Sequence, residues 1–354
     1  MSANTFEHVT IEKVQRPDLE QLERLFASAF GDEIDAEQIR RRIHRTRQFY
    51  YILHPLSKFS TWVRNHFNIY VVKIAGQVVG FIQLSSLNPT QLHVDYIAFS
   101  KQYRGLGLGT WVLKKLLTDV ADVHDYDVVL EVRVDNPAYS FYRRLGFRQV
   151  TQILHYEKPL PAGGSLPVQQ AEAISGFREI RGGDRAKLYR LYLESVPLTL
   201  RRVIKRNYSE FNPSMMLRNL EWIKNNLMRK QQQDYVVEQQ GKIVALLTIN
   251  SYVKANSHIF SLILHPAHEP LRRAIIEKAG SILIDNGCRG IISTTIYSDD
   301  PAKQMALTDL GFENNLAYYL MFRPSALKQK EHSRVLIPAC QPALTGRKPV
   351  GKQN

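Results

Sequence analysis

The sequence predicts an α/β (α+β) protein built from two copies of one mixed domain, and three observations lead there. Tyr70-Val71-Val72, followed by Gly76, recurs 165 residues later as Tyr235-Val236-Val237, followed by Gly241. Leu145-Gly146-Phe147 recurs at the same offset as Leu310-Gly311-Phe312; one shared offset across two distant matches is the mark of an internal repeat. Between the copies, the stretch from Pro159 to Pro167 holds three prolines and two glycines, the composition of a linker. The expected division is a domain over 1–158, a linker over 159–175, a second domain over 176–323 and a basic, loosely ordered tail over 324–354.

Each element of the front copy follows from its periodicity. Over 18–30, Leu19, Leu22, Leu25, Phe26 and Phe30 fall at helical spacing. Residues 35–48 predict a second helix with an arginine-rich face at Arg40, Arg41, Arg42, Arg45 and Arg47. The runs 69–75 and 78–86 read as strands joined at Ala75-Gly76-Gln77. A third strand over 92–100 leads into a glycine-rich turn at 104–109, and a helix follows from Thr110 to Val120. A fourth strand over 127–134, a short helix over 137–145 and a last strand near 148–157 complete the copy. Strand, glycine turn, helix and strand in that order call for parallel neighbours with a ligand at their carboxyl ends.

Composition narrows the class. The chain has 354 residues, 44% hydrophobic and 23% charged, which excludes a wholly disordered or coiled-coil protein. No apolar run is long enough to cross a bilayer, and no secretory signal pattern opens the sequence, so a cytoplasmic protein is expected. Two cysteines, Cys288 and Cys340, cannot make a disulfide framework, and no metal site is expected; His265 and His268 lack a third ligand nearby. The net charge of +14 divides into +3 over 1–158, +6 over 159–323 and +5 over the last 31 residues. An excess spread this way, without interleaved aromatics around the arginines, argues against nucleic-acid binding.

The turn Tyr103-Arg104-Gly105-Leu106-Gly107-Leu108-Gly109-Thr110 carries the chemistry. A helix start presents backbone N–H groups without partners and the positive end of the macrodipole. Glycines let an anion approach that backbone, so the turn suits a pyrophosphate. It lacks the Gly-Lys-Ser/Thr of a Walker loop and the spacing of a dinucleotide fingerprint.

Arg104-x-x-Gly107-x-Gly109 after a strand resembles the acyl-CoA pyrophosphate motif of the GNAT N-acetyltransferase superfamily. The segment Leu130-Glu131-Val132-Arg133, continuing through Asn136-Pro137-Ala138 and Tyr142 to Leu145-Gly146-Phe147, is similar to that family's other signature, in the form found in ribosomal-protein alanine acetyltransferases. The resemblance covers nearly all of the front copy. It implies a central mixed sheet whose strands 92–100 and 127–134 splay around acetyl-CoA. The pantetheine arm would lie along Ile97, Ala98 and Phe99. The diphosphate would sit on Arg104, Gly105, Leu106, Gly107, Leu108, Gly109 and Thr110, with Asn136 nearby. Acetyl-CoA is then the co-substrate, and a primary amine, small molecule or peptide, attacks the thioester directly. Tyr142, five residues before Phe147, matches the tyrosine that faces the CoA sulfur and would protonate the leaving thiolate. The loop between Asn136 and Ala138 is one residue shorter than the family pattern. For the base, Glu131 corresponds to a glutamate of the ribosomal-protein enzymes, while Asp95 and His93 share one face of strand 92–100; water alone is the fourth option.

Applying the same offset to the second copy removes this equipment. Arg104, Gly107 and Gly109 map onto Glu269, Arg272 and Ala274, Pro270 removes an amide donor, and Tyr142 maps onto Leu307. A degenerate, structural second copy is expected, giving a monomer with a pseudo-dimeric domain pair, or a homodimer. The rival reading is a non-catalytic acyl-CoA-binding or nucleic-acid-associated module.

Overall fold

The structure is a computed structural model, and it describes residues 6–30, 68–161, 173–211, 230–252 and 255–328. The arginine-rich stretch 40–47 and the tail beyond 328 lie outside these residues.

In the front copy β1 (Val9–Lys13) is followed by helix α1 (Leu19–Phe30), whose buried Leu19, Leu22, Leu25 and Phe26 pack on one face of the sheet with Val71, Phe81 and Ala98. Strands β2 (Ile69–Ile74), β3 (Gln77–Asn88) and β4 (Gln91–Phe99) form an antiparallel meander. The β2–β3 turn places Ala75 and Gly76 at positive φ, as a tight hairpin requires. Helix α2 (Leu108–Leu116) buries Leu108, Val112, Leu113 and Leu116 on the opposite face, then widens into a π-helical turn over Leu117–Asp122. Strand β5 (Asp127–Arg133), helix α3 (Ala138–Arg144) and strand β6 (Arg148–Leu160) follow.

The second copy repeats this order. It has β7 (Phe177–Glu179), α4 (Arg185–Ser195), α5 (Leu198–Val203), α6 (Tyr208–Phe211), β8 (Lys230–Gln239), β9 (Lys242–Tyr252) and β10 (Ser257–Leu264). After these come α7 (Leu271–Asp285), β11 (Gly290–Tyr297), α8 (Pro301–Asp309) and β12 (Glu313–Arg323). Each element expected for the front copy that lies within the described residues is found, with its ends moved by a few residues.

All strands join one 12-stranded sheet in the order β1-β2-β3-β4-β5-β12-β6-β11-β10-β9-β8-β7. The last strands are exchanged between copies: β12 pairs with β5, β6 pairs with β11, and β6 and β12 pair antiparallel at the centre. The row Arg133–Tyr318–Ile153–Tyr297 crosses all four central strands. Tyr318 and Ile153 are repeat partners at the 165-residue offset, so a pseudo-two-fold axis passes between them. The repeat offset identifies equivalent strands without saying which copy each one pairs with, and the exchange is therefore invisible in the sequence.

Polar locks hold the exchange in place. The Arg323 guanidinium donates to both Asp122 oxygens at 2.8 and 2.9 Å. Asp127, buried, accepts from Lys205 at 2.5 Å, from the Ser325 N–H at 3.1 Å and from Lys328 at 3.1 Å. Leu200 and Val203 of α5 pack with Val129, Ile153 and Leu320, so a helix of the second copy covers a face of the central sheet.

Candidate active site

Strands β4 and β5 run parallel and pair only from Gln91–Asp127 to Val94–Leu130; beyond Val94 they separate. Strand β4 also carries a bulge. Leu84 pairs with Val94 and Gln83 with Tyr96, which leaves Asp95 as the extra residue. In the second copy β10 pairs with β9 in unbroken register, yet β10 and β11 likewise pair only from Ser257–Ile291 to Ile259–Ser293, so the separation does not depend on the bulge.

At the carboxyl end of β4 the chain reverses through a short 3-10 turn at Lys101–Tyr103 and enters α2. Gly107 is the N-cap residue at φ 83°, and Gly105 lies at φ 77°. A Cβ at either would meet nothing within 4 Å, so the backbone of the turn faces open space. The first intrahelical bond is Trp111 N–H to Gly107 carbonyl, at 3.0 Å, and the N–H groups of Leu108, Gly109 and Thr110 remain for a ligand. Gly109 is small for a different reason, because a Cβ there would stand 3.3 Å from the Phe99 ring, and one at Gly80 only 2.3 Å from it. The Phe99 ring is wedged between two glycines and holds the helix start against β3 and β4. Arg104 donates from Nε to the Phe99 carbonyl at 2.9 Å, which fixes the stem of its guanidinium at the turn. Leu106 projects into solvent, 60% exposed. Asn136 accepts the Ala138 N–H on Oδ1 at 2.9 Å, in the turn that leads into α3. Ile97 and Ala98 lie on the diverging part of β4, Ala98 against α1 and Ile97 against the α2 side.

Tyr142 lies on α3 in the core formed by α2 and β5, 6% exposed, with its ring against Phe141 and Phe147. Its hydroxyl has no hydrogen-bond partner among the described residues, and burial pushes its pKa far above the usual tyrosine value. Tyr139, the other tyrosine on this helix, instead points to Gln149 and stacks with Tyr319.

The three sequence candidates for the base come together on the opposite face. His93 pairs with Val129, so it shares the face that also carries Glu131 two residues on. Asp95, two residues after His93, lies on the same side. His93 Nδ1 and Asp95 Oδ1 are 2.7 Å apart, and the Ser85 hydroxyl donates to the same oxygen at 2.7 Å. An ionised Asp95 assigns the proton to Nδ1 and leaves Nε2 as the basic nitrogen. Burial lowers the His93 pKa, but the Asp95 hydrogen bond and the charges of Asp95 and Glu131 outweigh it, and the net direction is upward. Glu131 itself is exposed. Ser85 was missed by sequence reasoning: its pairing with His93 is a matter of β3–β4 register, which composition does not encode.

The corresponding place in the second copy is occupied. Helix α7 starts behind Pro270, where Arg272 pairs with Glu269 and, at 3.1 Å, with Asp300. From α8 the buried Lys303 extends its Nζ to the Leu262 carbonyl at 3.4 Å, and Leu262 is the offset partner of Ile97. Burial brings the Lys303 pKa down to about 8. His265 caps the preceding turn by accepting the Ala267 N–H. Among the described residues no cluster with the makings of a metal site occurs, and no helix is long and apolar enough to cross a membrane.

Residues 22–147 match the Acetyltransferase (GNAT) family. An N-alpha-acetyltransferase of Sulfurisphaera tokodaii is 39% identical over 100 residues, which is 25% of this chain and 60% of that protein. The chain thus spans about three fifths of the length of this curated relative. Among solved structures, a GCN5-related N-acetyltransferase from Sphaerobacter thermophilus superposes with a TM-score of 0.60 at 17% identity, covering 90% of this chain and 97% of that one. A tandem GNAT protein from the clavulanic acid biosynthesis pathway gives 0.52 at 12% identity, covering 89% and 98%. These two likenesses concern the fold, and they extend over both copies. The glycine turn and the parting strands β4 and β5 all lie within residues 22–147, the segment that matches the GNAT acetyltransferase family.

Proposed function

We propose that the chain is an acetyl-CoA-dependent N-acetyltransferase whose chemistry is confined to the front copy and whose acceptor is a primary amine attacking the thioester directly. One observation carries this reading. The front copy sets an open, positive-φ glycine turn at a helix start beside the place where β4 and β5 part, whereas the second copy has Arg272 and Lys303 at the corresponding places.

The diphosphate of acetyl-CoA would be held by the N–H groups of the 105–110 turn, with the terminal nitrogens of Arg104 adding positive charge. The pantetheine arm would complete the edge of β4 left bare beyond Val94, along Ile97, Ala98 and Phe99. When bound, the coenzyme supplies the activated acetyl group. The chain's own residues do the rest. Glu131, exposed, draws the acceptor ammonium towards the gap, and neutral His93, oriented by Asp95 and Ser85, takes its proton through water. Tyr142 stays protonated throughout the physiological range. Its pKa lies well above that of a thiol, near 8.5, so outright transfer to the thiolate is uphill. Tyr142 therefore acts first as a hydrogen-bond donor to the sulfur as negative charge develops there.

The test is thiol release from acetyl-CoA across a panel of amines, with Tyr142→Phe as the control variant. Turnover by the wild type, reduced about a hundredfold in the variant with coenzyme affinity retained, supports the reading. Unchanged turnover in Tyr142→Phe contradicts the donor role, and no turnover on any amine contradicts the activity.

A further inference from the structure

We infer that the second copy builds the far wall of the front copy's acceptor site and that Tyr297 is a positioning residue there. The acceptor class this implies is a primary amine with a hydrogen-bonding group a few bonds from its nitrogen. The inference rests on the reading of the front copy as the catalytic one.

The pairing register places the groups. Arg133, Tyr318, Ile153 and Tyr297 are consecutive partners across β5, β12, β6 and β11, and paired residues project from the same side of a sheet. Glu131 and His93 are on that side as well. One face of the sheet thus carries His93, Asp95 and Glu131 from the front copy and Tyr297 from the second. Three strand spacings separate β5 from β11, about 14 Å between backbones. Tyr318 and Ile153 lie between them on that face.

The same face is roofed by the second copy. Leu200, Val203, Val196 and Ile204 pack in one cluster with Val129, Ile153 and Tyr297. The roof is fastened to the front copy by Gln91, which donates to the Val203 carbonyl, and by Asn88, which donates to the Lys205 carbonyl at 3.3 Å. Tyr192 secures it from behind by donating to the Ile204 carbonyl at 2.9 Å. In contrast, the Tyr297 hydroxyl has no hydrogen-bond partner among the described residues. Its acidity responds to burial first and then to the Glu131 carboxylate, with Arg206 opposing and Tyr192 adding to the effect; the net result is a pKa pushed up to about 12. A phenol without a partner, close enough to feel the carboxylate that meets the amine, is placed to hydrogen-bond a second group on the same substrate.

Two readouts on the full chain test this. The first compares Tyr297→Phe with wild type on paired probes, n-propylamine and n-pentylamine against glycinamide and β-alaninamide. The expected result is a KM about tenfold higher for the amides only, the effect of one lost hydrogen bond, with kcat and acetyl-CoA affinity unchanged. An equal KM for the amides, or an equal loss on the alkylamines, overturns the assignment. The second is independent of turnover. NMR of ring-labelled tyrosines, with the Tyr297 signal identified by its absence in Tyr297→Phe, follows that phenol to pH 11. It should remain protonated in wild type and titrate earlier in Glu131→Gln. A Tyr297 that titrates normally and ignores Glu131→Gln contradicts the shared site, even where the amine panel is active. An inactive panel with the coupling intact counts against the proposed activity instead.

Discussion

A half-buried imidazole with one nitrogen bound to a carboxylate has a defined pH signature. For His93, the Asp95 hydrogen bond and the neighbouring carboxylate charges hold the ring in its protonated form to higher pH than usual, despite burial. A base is active only when neutral, so the acid limb of kcat/KM should lie above the ordinary imidazole value of about 6.5. In Asp95→Asn the upward influence is removed while burial remains, and the limb should move to lower pH with a reduced plateau. A pH–rate profile checks this, and an unmoved limb would assign the proton to another group. At this scale the sequence exposed most of the site. Resemblance singled out Tyr142 and Glu131 as candidates, and strand period put His93 and Asp95 on one face. What was not legible was their pairing. The 2.7 Å contact between His93 and Asp95 is a matter of side-chain packing, and Ser85 enters through strand register.

Among elements, the junction of β4 and α2 is the proposed coenzyme turn, and its glycines serve two separate needs. Gly109 is small so that Phe99 can pack, whereas Gly107 is needed for its left-handed backbone in front of open space. These two demands separate experimentally. Asparagine tolerates positive φ, so Gly107→Asn should retain acetyl-CoA affinity within a few-fold. Gly107→Glu adds a carboxylate against a diphosphate and should weaken binding by about a hundredfold, or about 2.7 kcal/mol. Calorimetry on both variants tests whether charge or conformation dominates. The turn was readable because glycines at a strand-to-helix junction have few other uses. The plugging of the second copy was only half readable: the lost glycines were visible, while Lys303 reaching Leu262 required the packing of α8.

For the molecule as a whole, the exchanged strands make each half depend on the other. Asp127 is the clearest lock, since its buried carboxylate meets Lys205 from the second copy and Ser325 and Lys328 just beyond it. Burial alone would raise its pKa, but these hydrogen bonds and charges prevail and lower it. A depressed carboxylate adds stability above its unfolded value near 3.9, and that stability is lost as pH falls through the folded value. Asp127→Asn should therefore destabilise the chain by about 2–3 kcal/mol at neutral pH and progressively less in acid. Denaturant melts at pH 7 and pH 3 measure the difference; equal costs at both would show that the lock is not electrostatic. The repeat foretold two copies and placed their elements, but strand exchange is a property of assembly, and two identical offsets are compatible with either pairing.

The most direct measurement is a crystal of the full chain soaked with acetyl-CoA. One coenzyme per chain is predicted, its diphosphate on the backbone of Gly105 to Thr110 and its thioester between β4 and β5 beside Tyr142. A coenzyme lodged between β10 and β11, or density in both halves, would contradict the account.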